Sequence, residues 1–233
     1  MISWTTVSTI LEMGIYTLGF HYVFKNIIPI EKDFMGKISV NMMRSAMCGY
    51  FTLQGLQMIH DVWEDPCVEN EGKVIVYQNL HDQFMSYFVF DTVILLYQKY
   101  LGIEKKVRYD LLLHHVLAIT SLMLADIYKM YGISVMITLS EGMSIVSGLK
   151  LYFMERGYKG WMKATIYYRL FYIVFVRMLY LWPSVIFYYH RVTNECEKYQ
   201  VDRNIYLLVT LIACIYHAEI SWIHSGRKEI KRI

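Results

Sequence analysis

Apolar residues in this chain gather into blocks of about 20, long enough for a helix rising about 1.5 Å per residue to cross a hydrocarbon core of roughly 30 Å. Seven such blocks can be read, over residues 5–28, 38–60, 81–101, 109–127, 131–150, 164–190 and 203–224. Of the 233 residues, 56% are hydrophobic and only 18% are charged, above the apolar share of about 45–50% usual in soluble domains. The expected fold class is therefore all-α, a polytopic membrane protein with about seven transmembrane helices. The second block is the weakest, because Asn41, Arg44, Gln54 and Gln57 make it amphipathic. Pro183 predicts a kink near one end of the sixth. The first block has no basic stretch before it and continues to spanning length, so it reads as a helix and not as a cleaved signal.

Lysine and arginine set the orientation. One set of inter-block segments holds Lys25, Lys32 and Lys37, then Lys99, Lys105, Lys106 and Arg108, then Lys150, Arg156, Lys159 and Lys163, then Arg227, Lys228, Lys231 and Arg232. The opposite set holds only Lys73, Lys129, Arg191, Lys198 and Arg203. The bias alternates from segment to segment, which favours seven crossings with the N-terminus lumenal or exterior and the C-terminus cytosolic. The net charge of +3 forms no basic stripe, so no nucleic-acid partner is expected. The segment 61–80 is acidic and falls on the outer side, as does 191–203. Each carries one cysteine, Cys67 and Cys196, in the compartment where a disulfide between them could persist. Cys48 and Cys214 fall inside blocks and read as small apolar packing residues.

The blocks also contain groups that are costly in lipid, by about 2.5–3.5 kcal/mol for a central Asp or Arg. They are Glu12, His21, Arg44, Asp91, His114, His115, Glu141, Arg169, Arg177, His217 and Glu219. Tyr87 and Asp91 are one turn apart, and Arg169 and Arg177 share a face at i and i+8. His114 and His115 point about 100° apart on a helix, so one imidazole is expected in a cavity and the other on a neighbouring helix. Arg177 could pair with Asp91 or Glu141, as glue between helices or as part of a site. No metal is expected: the adjacent histidines lack i, i+4 spacing, and no Cys-x-x-Cys is present. No phosphate loop, nucleophile elbow or dinucleotide fingerprint occurs either. An imidazole moving a proton at neutral pH is the chemistry left open.

Four stretches in order resemble the TLC-domain membrane proteins. They are Asn41-Met-Met-Arg-Ser-Ala46, Tyr87-Phe-Val-Phe-Asp91, Leu113-His-His-Val116, and Tyr168-Arg-Leu-Phe with Phe175-Val-Arg177; Glu219-Ile-Ser-Trp222 is similar to the family's polar-x-x-Trp close. The resemblance divides the chain into an N-terminal helix and loop (1–34), a TLC domain (35–230) and a basic cytosolic tail (225–233). It implies a six-helix bundle around a lipid-accessible cavity in the endoplasmic reticulum or a related membrane, plus one extra helix. It also implies a membrane lipid or fatty-acyl chain as partner. In the family's ceramide synthases the two histidines go with acyl transfer from acyl-CoA, which would be a co-substrate here and not a resident cofactor. By position these are His114 and His115, with Tyr87, Asp91, Glu141, Arg169 and Arg177 as binding or supporting residues. The synthases continue with a His-Asp pair and a later Asp. Those positions read Leu139-Ser140 and Met143 here, with Glu141 the one carboxylate of the segment, which speaks against ceramide synthesis. A non-catalytic trafficking or lipid-composition regulator is the alternative, and a homodimer stays open.

Overall fold

The computed structural model describes residues 4–31, 36–68, 70–103, 109–196 and 205–233, with side chains from 210 onward in the last of these. Among the described residues there is no strand, and the chain runs as seven helices. They are α1 (Trp4–Tyr22, closing in a π turn Val23–Ile27), α2 (Lys37–Glu64), α3 (Glu71–Tyr100), α4 (Tyr109–Ile127), α5 (Tyr131–Glu155), α6 (Lys159–Glu195) and α7 (Ile205–Ile230). Helices α4, α5 and α6 are long and apolar enough to cross a membrane by length and composition.

A helix that is apolar on every side belongs in the interior, and α5 is that helix. In its most apolar window 72% of residues are buried, against 28% in α4 and in α6, so α5 is the core and the other two supply outer faces. Helix α2 lies along α5, α1 packs on α2 and α3, and α4 sits between α3 and α7, which also touches α6. Small residues permit the close approach of α2 and α5. A Cβ on Gly148 would stand 2.8 Å from the Met42 backbone, and one on Gly55 would stand 2.2 Å from Thr138 Oγ1. Phe51, Phe84 and Phe88 join α2 to α3, with ring centroids 4.9 and 4.8 Å apart in successive pairs.

The outer surface carries large apolar residues, and a few charges lie inside an otherwise apolar core. Leu11, Ile15, Leu53, Val93, Met123, Phe175, Leu179 and Phe187 are exposed, whereas Asp91, Glu141, Arg177 and Glu219 are buried. An apolar outer surface, with the ionisable groups of the helices turned inward, is the pattern that lipid selects. The Cys67–Cys196 disulfide ties the α2–α3 turn to the end of α6, where Tyr188 Oη donates to the Pro66 carbonyl at 3.2 Å and Arg191 to the Trp63 carbonyl at 2.6 Å. At the other end Lys150 meets Glu229 at 2.6 Å, and the Trp222 indole donates to Asp110 at 3.1 Å.

Three expectations change. The segment 61–80 is mostly helical, because α2 runs to Glu64 and α3 starts at Glu71. Asn70 caps α3, its side chain accepting from the Gly72 and Lys73 amides at 2.9 and 3.3 Å, and this satisfies orphan donors that a loop would leave to water. Pro183 sits instead in the first turn of the α-helical part Trp182–Glu195, where its missing N–H breaks no bond; the adjustment is made just before it, in a π-helical stretch Tyr172–Leu181. Residues 225–230 belong to α7, so only the last few residues of the basic tail lie beyond the helix. Lys32, Lys105, Lys106, Arg108, Lys198 and Arg203, used in the charge count, fall outside the residues whose side chains are described.

Candidate functional site

Two departures from α-helical geometry carry charged residues into the core. Within α5 a 3-10 stretch, Leu139–Ser144, holds Glu141; within α6 the π stretch holds Arg177. Changing helix type leaves backbone groups to be paired elsewhere. Tyr172 Oη donates to the Leu139 carbonyl at 2.5 Å, and Tyr168 Oη to that of Gly142 at 2.9 Å. The tyrosines of α6 thereby hold the Glu141 turn in place.

Around it stand three buried carboxylates, each with its own partners. Asp91 accepts from Arg44 Nε at 2.5 Å and lies 3.3 Å from His115 Nε2. Glu141 lies 3.4 Å from His114 Nε2, with Ser140 Oγ at 3.4 Å and Cys48 Sγ at 3.5 Å. Glu219 lies 2.8 Å from Arg177 Nε and accepts from the Trp182 indole at 2.9 Å. Phe88 fills the space between the imidazoles, 5.8 Å from His114 and 5.5 Å from His115. Taking so many charges from water is worthwhile only when each is paired, and the inter-helix register supplies the pairs.

Two cavities share a wall here. A polar one of about 190 Å³ is walled by Tyr87, Asp91, His115, Glu141, Arg169 and Arg44, among others. An apolar one of about 80 Å³ is bounded by Ala118, Ala125, Ile133, Ile137, Val185 and Ile212, among others. Both include His114 in their walls. The α4 residues that line this apolar channel run from His114 to Tyr128, a rise of about 21 Å at 1.5 Å per residue. A third opening of about 470 Å³ shares Lys150, Arg169 and Trp222 with the polar cavity and adds Asp110 and Glu229.

Of the residues singled out from the sequence, Tyr87, Asp91, His114, His115, Glu141 and Arg169 thus share one cavity, and Arg177 lines the adjoining channel. Arg177 pairs with Glu219 on α7, not with Asp91 or Glu141, because Asp91 is already taken by Arg44. Both histidines reach carboxylates on neighbouring helices, where only one was expected to. His115 is spent twice, its Nδ1 lying 3.0 Å from Thr92 Oγ1. His114 has Glu141 at Nε2, and among the described residues no side chain or backbone group takes its Nδ1. Of the pair, His114 is the chemically available imidazole.

Arg44 and Glu219 were left without a role in the sequence reading; the signal that could have found them is that each is a charge that must find an opposite charge inside the bundle. Cys48 is not plain packing, since its thiol lies 3.2 Å from Tyr87 Oη, and Cys214 is exposed on α7. Among the described residues His60, Asp61 and Glu64 could in principle chelate a metal, but they lie on the outer part of α2, where His60 and Glu64 pair at 3.4 Å. No family model, no curated protein and no solved structure matches this chain.

Proposed function

We propose that this chain is a TLC-type membrane protein that crosses the endoplasmic reticulum or a related membrane seven times and holds a lipid or fatty-acyl chain in its bundle. The lysine and arginine bias argues for a cytosolic C-terminus. A disulfide at the opposite end of the bundle fits a lumenal or exterior face there. In this reading the acyl chain lies in the apolar channel and its polar end reaches the cavity beside Asp91 and Arg169.

One observation carries the proposal: His114 stands in the walls of both the apolar channel and the polar cavity, with Glu141 on one ring nitrogen. Glu141 accepting from Nε2–H fixes the tautomer that leaves a lone pair on Nδ1. That nitrogen could attack the thioester carbonyl carbon of acyl-CoA, forming an N–acyl bond as the C–S bond breaks and CoA leaves as the thiolate, or accept a proton from a second substrate. The alternative, a non-catalytic regulator, is favoured by the buried ion pairs Arg44–Asp91 and Arg177–Glu219, which can act as inter-helix glue.

The test compares wild type, Ala125→Phe and His114→Ala, each purified in detergent. Wild type should carry acyl lipid, Ala125→Phe should lose it by filling the channel, and His114→Ala should retain it. Incubation with palmitoyl-CoA should leave a palmitoyl adduct on His114 of wild type, read by peptide mass spectrometry. Lipid content unchanged by Ala125→Phe would sink the binding reading; an absent adduct with lipid retained would select the regulator.

A further inference from the structure

Glu141 is buried, and its two carboxylate oxygens are held differently. Oε1 faces His114 Nε2 at 3.4 Å and accepts from Ser140 Oγ at 3.4 Å. Oε2 has a single donor among the described residues, the Cys48 thiol at 3.5 Å. Arg177 and His115 act on Glu141 through their charges, but among the described residues neither is hydrogen-bonded to it. Cys48 has none of its surface exposed, and its sulfur also lies 3.2 Å from Tyr87 Oη.

In the contact with Tyr87 either the sulfur or the phenol oxygen can donate, and the carboxylate decides which. A thiol has one hydrogen. Spent on Tyr87, it would leave sulfur and Oε2 face to face as two electron-rich atoms, and a buried carboxylate oxygen with no donor. Pointed at Oε2, it leaves the sulfur to accept from the Tyr87 hydroxyl. The hydrogens then run one way, from Tyr87 to Cys48 to Glu141, and each group is satisfied. Four helices contribute one residue each to this line: Tyr87 from α3, Cys48 from α2, Glu141 from α5 and His114 from α4.

Resting on the reading of His114 as the reacting imidazole, we propose that Cys48 is a positioning residue that acts on His114 through Glu141. The terminal torsion of a glutamate is broad, so a carboxylate held at one oxygen can swing away from its partner. With Oε2 anchored from α2, Glu141 keeps Oε1 on Nε2–H, and His114 keeps its lone pair on Nδ1, the nitrogen that attacks the thioester. An S–H group is a weak donor, yet it sets the orientation because no other donor competes for Oε2 among the described residues. Tyr87 acts one step further back, by orienting the thiol.

The test is 15N NMR of the full chain, labelled at histidine, in nanodiscs. The His114 signals, assigned by their loss in His114→Gln, report which nitrogen of the neutral ring carries the proton. In wild type it should be Nε2. Cys48→Val keeps the side-chain volume and removes the S–H, and it should lower the ratio of this tautomer to the other by about three-fold or more, the scale of one weak hydrogen bond. Tyr87→Phe should lower the ratio by less, and the double variant by no more than Cys48→Val alone, because both act through one thiol. The rate at which palmitoyl-CoA leaves its adduct on His114 should fall with the ratio. An unchanged ratio in folded Cys48→Val overturns the assignment, and Cys48→Ala gives the same reading if the valine variant does not fold. A wild-type ring protonated on Nδ1 overturns it too, and effects that add in the double variant remove Tyr87 from the line. A ratio that falls as expected, with no adduct in wild type, keeps Cys48 in its role and removes only the acyl-transfer reading.

Discussion

Replacing Asp91 by Asn keeps the side-chain volume and removes one charge from a carboxylate whose side chain is 1% exposed. Two contacts are affected, Arg44 Nε at 2.5 Å and His115 Nε2 at 3.3 Å. A hydrogen bond involving a charged group contributes about 1.5–3 kcal/mol net, and stripping one partner from a buried ion pair costs about 3–5 kcal/mol. The Asn carbonyl can still accept from one of the two, so the expected loss is near the lower end, about 3 kcal/mol. For a chain of this size that corresponds to a fall in Tm of about 6–12 °C. Thermal unfolding in detergent, followed by tryptophan fluorescence, measures it. Arg44→Met should lose a similar amount, yet the double variant should lose much less than the sum, because it leaves no stranded charge. Losses that add to within about 0.5 kcal/mol would mean the two groups are not coupled, and would falsify the account of the core as paired charges.

The remaining predictions address separate links. Tyr172→Phe removes the donor to the Leu139 carbonyl; leaving it unsatisfied should destabilise by about 1–3 kcal/mol, read in the same melting assay. Gly148→Leu drives a side chain into the Met42 backbone and should destabilise by about 1–3 kcal/mol or abolish the folded form, visible as aggregation on size-exclusion chromatography. Peptide mapping without reductant should recover the Cys67 and Cys196 peptides linked. A maleimide should label Cys214 in the native detergent-solubilised protein and spare the buried Cys48; labelling of Cys48 before unfolding would contradict its placement between Tyr87 and Glu141.

The helical positions follow from composition alone, since an apolar block of this length must either span lipid or be wrapped by other chain. The described part of each of the seven blocks falls in its own helix to within a residue or two, and the helix ends differ where a local signal outweighs hydropathy, as with the cap at Asn70. That His114, His115, Asp91 and Glu141 would turn inward to partners was legible too, because an ionisable group in an apolar helix has to have one. Which partner it has was not legible. Spacing within one helix fixes a face, but pairing depends on the rotation and depth of two helices that sequence treats independently. That is why Arg177 went to Glu219 and Asp91 to Arg44.

The sequence by itself determined the helices, their apolar outer surface and the list of charges that cannot face lipid, because these depend only on local period and on the cost of desolvation. The tertiary structure alone decided the 3-10 and π stretches that carry Glu141 and Arg177 inward, the two cavities that share His114 in their walls, and the difference between the histidines. Adjacent residues with identical chemistry become distinct only through what surrounds them: Asp91 and Thr92 occupy both nitrogens of His115, while Glu141 takes one of His114. Neighbours of that kind arrive from other helices, and only packing brings them together.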